Sequence, residues 1–321
     1  MQIASRFAAA LIAGVITIFP LAVQPQSYPV KPVRLIIPFG PGSSDVLGRA
    51  YSVRAALGQP LVAENIPGAN GAIGLARTAK AAADGYVISI GATATLSVAP
   101  HTNQALPYDA FKDFTPIAVL TRVPSVITVN ASSPATSLTE LVALAKANPG
   151  KFNYSSSGLG STAHLHGEML RTAAGIDMVH VPYKGSAAAM TALIAGEVQL
   201  AFGAIVEPMA HIRNGRVHAL AVLYPQRSPL IPAIPTAREQ GFALEAATWF
   251  GLIAPAGTPA AIVQRLAQEV QRINALDDMK RFLTEQASEP GNMGPEQFGE
   301  LIAADYARYQ QIVRRIGLIA Q

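Results

Sequence analysis

At Val33-Arg34-Leu35-Ile36-Ile37-Pro38-Phe39-Gly40-Pro41-Gly42-Ser43-Ser44-Asp45, an apolar, β-branched run ends in a turn of proline, glycine and serine. The run predicts a short buried strand over 33–37, and the turn predicts a helix over 45–57. The same order returns at 154–162 and 179–186. A helix that starts at such a turn leaves backbone N–H groups free, and its dipole favours a nearby anion. The three turns therefore predict the binding of a small anion such as a carboxylate.

Strand-like and helix-like segments alternate along the rest of the chain. The predicted strands are 33–37, 61–65, 86–91, 126–129, 151–154, 198–202, 219–223 and 250–254, and the predicted helices include 45–57, 70–83, 137–147, 162–174 and a helical tail from Pro259. A succession of βαβ units predicts α/β architecture, with mostly parallel sheets flanked by helices. Chain crossings near 120–126 and Trp249 predict two lobes, 27–124 with 249–321 and 125–248, with a ligand cleft between them.

Composition limits the classes of function. The 321 residues give room for about two domains, and half of them are hydrophobic, so large cores can form. The formal charge of +4 comes from 24 basic and 20 acidic residues without any basic stripe, which argues against nucleic-acid binding. The absence of cysteine excludes disulfides and a lipoprotein anchor.

The first 26 residues have the features of a secretory signal. Arg6 supplies a positive start and an apolar run follows over 7–23. The alternative is an uncleaved membrane anchor, but no stop-transfer charges follow the run. We therefore expect a cleaved signal peptide over 1–26 and an exported protein in the periplasm.

The first turn offers Gly42, the hydroxyls of Ser43 and Ser44, and Asp45 in the first helical turn. The alternative is a plain connection between a strand and a helix with a serine cap. It is not a phosphate-binding P-loop, because no Gly-Lys-Ser/Thr follows at the required spacing, and the third glycine of a dinucleotide fingerprint is missing.

The second turn crowds hydroxyls and glycines into one loop, and a histidine follows in the first turn of the next helix. The loop suits direct or water-mediated carboxylate binding. A Ser/His hydrolase would pair a loop serine with His164, but the nucleophile elbow and an orienting acid are missing from the pattern. His164 and His166 are two residues apart, so they do not face each other on a helix as metal ligands would.

Taken together, these motifs resemble the substrate-binding proteins of the tripartite tricarboxylate transporters, the Bug family. The resemblance follows the chain in order through the first strand and turn and through Tyr28-Pro29, Glu64-Asn65-Ile66-Pro67-Gly68-Ala69-Asn70-Gly71, Asp84-Gly85-Tyr86, Leu106-Pro107-Tyr108-Asp109, Lys112-Asp113-Phe114, Ser156-Ser157-Gly158-Leu159-Gly160-Ser161, His180-Val181-Pro182-Tyr183-Lys184-Gly185, Arg227-Ser228-Pro229 and Pro235-Thr236.

The resemblance implies a type II periplasmic-binding-protein-like fold that closes on a dicarboxylate or an aromatic carboxylate and delivers it to membrane transporter subunits. It also implies a monomer without catalytic residues, metal or cofactor. The ligand-binding residues that we expect are Phe39, Gly42, Ser43, Ser44, Asp45, Thr93, Thr95, Ser156, Gly158, Ser161, Thr162, His164, Tyr183 and Gly203. The alternatives are a secreted Ser/His hydrolase and a sensory module that presents its ligand to a signalling receptor.

Two positions depart from the family pattern. The first turn is one residue short of the usual Gly-Gly spacing before Asp45, and Gly203 stands where the strand usually ends in Asp. The expected consequence is a reshaped pocket that has lost one carboxylate.

Overall fold

The computed structural model of the protein describes residues 28–318, without the side chain of Ser43. The predicted signal segment 1–26 lies outside the described residues. The strands are β1 (Val33–Ile37), β2 (Leu61–Asn65), β3 (Val87–Ala92), β4 (Phe114–Asn130), β5 (Phe152–Ser156), β6 (Met178–Pro182), β7 (Leu200–Ala204), β8 (Val217–Leu223), β9 (Ala247–Pro255) and β10 (Glu289–Pro290). The α-helices are α1 (Ser43–Arg54), α2 (Ala72–Ala79), α3 (Ala99–Thr102), α4 (Leu138–Ala147), α5 (Thr162–Ala174), α6 (Ser186–Ala195), α7 (Met209–Arg213), α8 (Ala260–Ala275), α9 (Asp277–Glu285) and α10 (Pro295–Arg315).

Two sets of parallel strands are joined through antiparallel ones. The strands β2, β1 and β3 run parallel to one another, as do β6, β5 and β7. Between the two sets lie β9 and β4, which pair antiparallel with each other and with their outer neighbours. Each parallel set is built from successive strand–helix units, as the alternating sequence predicted.

The 17-residue strand β4 belongs to both halves of the sheet. Its first part, from Phe114 to Pro124, pairs with β9, and its second part, from Ser125 onward, pairs with β7 and β8. The chain then returns through β9, which lies between β3 and β4. Two connections, β4 and β9, therefore join the halves.

Trp249 of β9 fastens this return strand to the first half. It is fully buried, its backbone N–H donates to Thr93 Oγ1 over 2.9 Å, and its indole N–H donates to Asp305 Oδ2 of α10 over 2.8 Å. The indole also contacts the ring of Phe298 edge-on. A buried indole N–H needs such an acceptor, so Trp249 is a core residue that ties β9 to α10.

The helix predicted over 70–83 is shorter in the structure. Asn70 and Gly71 have φ of 53° and 95°, in the left-handed region, and they end a short 3₁₀ turn before α2 begins. Left-handed residues interrupt the α-helical hydrogen-bond ladder, so α2 begins only at Ala72, and it ends at Ala79. Within residues 28–318, no helix is both long and apolar enough to cross a membrane.

Candidate functional site

The first turn is braced to its own half of the molecule. Asp45 Oδ1 accepts hydrogen bonds from Arg49 Nε and Asn65 Nδ2, each over 2.9 Å. Arg49 Nη2 also donates to Asn65 Oδ1 over 2.7 Å, and Asn65 donates to the carbonyl of Phe39. The carboxylate of Asp45 is therefore already hydrogen-bonded to α1 and β2, and it fixes the turn between β1 and α1.

The residues near Asp45 at the start of α1 differ in their exposure and in their contact with the cavity. Gly42 immediately precedes α1, with no side-chain cap, and it is exposed. Ser44 is buried in the first turn of α1, whereas the side chain of Ser43 lies outside the description. Leu47, one turn further along α1, is the residue of this helix that reaches the cavity described below.

Thr93 and Thr95, which follow β3, are both fully buried. Thr93 Oγ1 accepts the backbone N–H of Trp249, and Thr95 Oγ1 exchanges two hydrogen bonds of 3.1 Å with the backbone of Ala92. The backbone carbonyl of Thr95 also accepts from Tyr108. Both hydroxyls are thus satisfied by the protein itself and organise the turn after β3.

The second turn contains a serine–histidine contact. Ser156 Oγ lies 2.6 Å from His180 Nε2 of β6, and it accepts the backbone N–H of Gly158 over 3.1 Å. Ser156 is only 1% exposed, so its hydroxyl is held inside the loop and away from solvent. In the sequence, His180 is only one residue of a motif. Its contact with Ser156 could not be predicted, because the two residues lie on neighbouring strands, β6 and β5.

His164 holds the other end of this loop. Its Nδ1 accepts the backbone N–H of Gly160 over 3.1 Å, while Ser161 caps α5 by accepting the N–H of His164 over 3.3 Å. The imidazole of His164 stacks on His180 with ring centroids 3.8 Å apart. Because the Ser161 hydroxyl faces a backbone N–H and His164 Nδ1 faces another, these two side chains support the loop rather than form a nucleophile–base pair.

The third turn is hydrogen-bonded to the second. The N–H of Tyr183 donates to the carbonyl of Ser156 over 3.0 Å, and the N–H of Gly185 donates to the carbonyl of Ser157 over 3.3 Å. The hydroxyl of Tyr183 points to Glu197 over 3.3 Å. These bonds hold the start of α5 next to the start of α6. The two helices follow β5 and β6, which are parallel neighbours in the sheet.

A cavity of about 290 Å³ lies between the two halves. Its lining is mainly apolar with several hydroxyls: Leu47, Thr121, Val123, Ser157, Thr162, Ala163, Ser186, Ala189, Met190, Ala201, Phe202, Gly203, Ala204, Val206, Glu207, Thr248, Phe250, Phe282, Gln286 and Ser288. Of the residues predicted from sequence, Thr162 and Gly203 line it. The other predicted residues that the structure describes do not line the cavity. They form hydrogen bonds within the turns described above or belong to the first turn.

The cavity is bordered by the first residues of two helices, Thr162 of α5 and Ser186 of α6. The first N–H groups of a helix have no intrahelical acceptor, and they carry the positive end of the helix dipole. An apolar cavity bordered in this way can hold the body of a small organic anion and hydrogen-bond its charged end.

Glu207 is the one ionisable residue that lines the cavity in the described part of the chain, and the sequence reasoning missed it. Its Oε2 lies over Gly203, so close that a methyl group on Gly203 would stand 2.5 Å from it. The expected loss of a carboxylate at Gly203 is thus offset by one that reaches back from four residues further along. Burial raises the pKa of Glu207, and a hydrogen bond with Ser186 partly lowers it. In the sequence, the only indication of this arrangement is the glycine at position 203.

Metal ligands are not assembled anywhere in residues 28–318: no group of three or more His, Asp or Glu side chains is placed to hold an ion. His166 lies apart from His164, fully buried, with Nε2 3.2 Å from the hydroxyl of Tyr309 in α10.

Comparison with known proteins gives a consistent answer. The family described as "Tripartite tricarboxylate transporter family receptor" matches residues 49–318. Protein BugT of Bordetella pertussis is 36% identical over 302 residues, covering 92% of each chain. The structure of Rpa4515 from R. palustris with adipate has a TM-score of 0.77 and 33% identity, over 92% of this chain and 100% of that one. MatC from Rhodopseudomonas palustris with bound malate has a TM-score of 0.72 and 31% identity, over 89% and 100%. The resemblance and the fold class predicted from sequence are confirmed.

Proposed function

Because this chain belongs to the tripartite tricarboxylate transporter receptor family, we propose that it is a periplasmic solute-binding protein that captures a small carboxylate and delivers it to membrane transporter subunits. The members of this family are receptors and not enzymes. The partner follows from the family's description, and the periplasm follows from it together with the signal-like segment 1–26. We further propose that the protein acts as a monomer.

The observation that carries the proposal is the cavity with the first turns of α5 and α6 at its border. Thr162 offers a hydroxyl and a helix N-terminus at the same point, which is an arrangement suited to a carboxylate. The adipate and malate in the two related structures are small dicarboxylates, which supports this ligand class.

Closure is proposed as the event that the transporter recognises. The proposed lobes are 27–124 with 249–321 and 125–248, and they are supported by the change of partners along β4 between Pro124 and Ser125. A ligand held by both lobes stabilises the closed form by its differential affinity. In that form, we place the first turn against the ligand, with Phe39, Gly42, Ser43 and Ser44 opposite the α5 start.

The remaining predicted residues are proposed as supports. Ser156, Gly158, Ser161 and His164 hold the second turn, and Tyr183 joins the third turn to it. Thr93, Thr95 and Asp45 fix the turns of the first lobe. Their substitution is expected to act on ligand affinity through the shape of the turns.

The test is a thermal-shift screen followed by calorimetry with succinate, malate, adipate, citrate and benzoate. A ligand that binds only the native protein raises the unfolding midpoint as RT ln(1 + [L]/Kd). The double variant Ser161→Ala/Thr162→Ala should bind the best ligand about tenfold more weakly, because about 1.4 kcal/mol of hydrogen bonding is lost. The control is Ser132→Ala/Thr139→Ala, which removes two exposed hydroxyls of the same lobe that do not line the cavity.

Two results would contradict the proposal. If no carboxylate raises the midpoint of the folded protein, it does not bind this class of ligand. If a carboxylate binds but both double variants keep the native affinity, the contact at the start of α5 is wrong.

A further inference from the structure

Glu207 is the one ionisable side chain among the residues that line the cavity in the described part of the chain. The rest of the lining consists of aliphatic and aromatic groups, small residues, hydroxyls and the amide of Gln286. A carboxylate in this position is unexpected for a cavity that takes anions, since like charges in a partly dry site repel.

The position of Glu207 is fixed from two directions. Its backbone N–H donates to the carbonyl of Ala204 over 3.0 Å, which forms the turn after β7. Its side chain then folds back over Gly203, where the missing Cβ leaves room for the carboxyl group. Ser186, the first residue of α6, lines the cavity beside Glu207 and lies near enough to lower the pKa of its carboxyl.

The cavity lining combines two groups of opposite electrostatic character. The start of α6 already faces the carboxyl of Glu207, so its positive end is occupied by the protein's own anion. The start of α5, at Thr162, is left to receive an anion from outside. The lining therefore contains an anion-accepting group at the start of α5 and an anionic group at Glu207.

Within the described residues, no Lys, Arg or His lines the cavity beside Glu207. Glu207 also lines a second pocket together with His211 and Arg216, but neither of these side chains contributes to the shift in the pKa of its carboxyl. Its side chain is accessible to solvent at the cavity mouth, yet the surrounding protein displaces enough water to raise the pKa of the carboxyl. A cation or a strong hydrogen-bond donor from a ligand would satisfy this group.

We propose that Glu207 selects carboxylates that carry an ammonium group at their far end, so that the carboxylate meets the start of α5 and the ammonium meets Glu207. This inference rests on the proposed function and narrows its ligand class from carboxylates in general to amino carboxylates with separated charges. The apolar part of the lining, which includes Val123, Met190 and Phe202, suits the methylene chain of such a ligand.

The test compares two matched series of probes by calorimetry at pH 7. One series is the α,ω-dicarboxylates from succinate to pimelate, and the other is the ω-amino acids of the same chain lengths. The native protein should bind an ω-amino acid at least about tenfold more tightly than the dicarboxylate of equal length, as expected when a close charge pair replaces a like-charge contact.

Three variants separate charge from fold. Glu207→Gln keeps the shape but removes the charge, and it should reduce this preference by about tenfold or more. Glu207→Asp keeps the charge but shortens the reach, so it should retain part of the preference. The control Glu285→Gln removes one exposed carboxylate at the end of α9 that does not line the cavity, and it should leave the preference unchanged.

The outcomes distinguish this inference from the proposed function. If dicarboxylates bind the native protein as tightly as ω-amino acids, or if Glu207→Gln keeps the native preference, the role of Glu207 is refuted while carboxylate binding stands. If neither series binds and no other carboxylate raises the unfolding midpoint, the proposed function fails and this inference fails with it.

Discussion

The imidazole of His180 in β6 stacks face to face on that of His164 in α5, with 3.8 Å between ring centroids and 12° between ring planes. The ring of Tyr154 lies beside this pair, with its centroid 5.0 Å from that of His180 and 6.4 Å from that of His164. Burial lowers the pKa of both histidines, and the nearby His164 contributes to the pKa of about 4 for His180. Two stacked imidazolium ions would repel each other, so both rings are neutral at pH 7 and hold the second turn through neutral hydrogen bonds.

This arrangement predicts the tautomer of His164. Its Nδ1 accepts the N–H of Gly160, so the single proton of the neutral ring must lie on Nε2. Long-range ¹H–¹⁵N correlation spectra at pH 7 should show a protonated Nε2 and an unprotonated Nδ1 for this residue. The assignment can be made from His164→Gln, in which that ring's signals disappear. A protonated Nδ1 would contradict the hydrogen bond that closes the turn.

The burial of His166 leads us to expect that the folded protein loses stability in mild acid. His166 is 2% exposed between α5 and α10, and burial followed by the charge of Arg308 lowers its pKa to about 3. The unfolded chain binds a proton at this residue near pH 6.5, whereas the folded protein does not. Stability therefore falls as the pH drops from about 6.5 to about 3, by about 2 kcal/mol at pH 5 from this residue alone.

The variant His166→Gln isolates this contribution, because glutamine can still reach Tyr309 but does not titrate. Urea unfolding at pH 7 and pH 5 should show a stability loss smaller by about 2 kcal/mol in the variant than in the native protein. His218→Gln, at an exposed position of β8, is the matched control and should keep the native pH dependence. Equal acid sensitivity of His166→Gln and the native protein would refute the assignment.

Two glycines inside helices should respond to alanine with opposite signs. A methyl group on Gly167 of α5 would overlap the ring of Tyr154, which is held by a 2.7 Å hydrogen bond to Glu168. A methyl group on Gly299 of α10 would meet Pro116 at an ordinary 3.8 Å. We expect Gly167→Ala to destabilise the protein by about 1–3 kcal/mol and Gly299→Ala to stabilise it by about 0.5–1 kcal/mol.

Chemical denaturation of the two variants measures both effects. Each substitution adds the same methyl group and the same gain in helix propensity, so the difference between them reports the packing around Tyr154. A stabilising Gly167→Ala would show that the ring of Tyr154 can move aside.

Local signals determined the parts of the fold that the sequence predicted well. The strands β1 and β2 have the predicted limits, and α5 spans the predicted residues 162–174. At α4, Ser137 is the N-cap and accepts the N–H of Glu140, whose carboxylate in turn accepts from the N–H and the hydroxyl of Thr136. These features depend on a few adjacent residues.

The site was harder to predict because its residues act through distant partners. A hydroxyl after a strand looks the same whether it binds a ligand or the backbone, and Thr93 binds the N–H of Trp249, 156 positions away in the chain. His180 reaches Ser156 only because β5 and β6 are neighbours. The role proposed for Glu207 depends on the space above Gly203, and the glycine by itself does not indicate which side chain occupies that space.

Gly203→Ala tests that space directly. The added methyl would lie 2.5 Å from Glu207 Oε2, and because the carboxyl is the flexible end of its side chain, it should swing away while the strand stays intact. We expect the unfolding midpoint to change by no more than about 4 °C. The preference for ω-amino acids over dicarboxylates should fall at least about fivefold, which corresponds to about 1 kcal/mol. The control is Gly299→Ala, where the new methyl meets only Pro116 at an ordinary 3.8 Å and does not line the cavity. A Gly203→Ala protein that keeps both its fold and the native preference would show that the carboxyl of Glu207 does not need to lie over Gly203 in order to select the ligand.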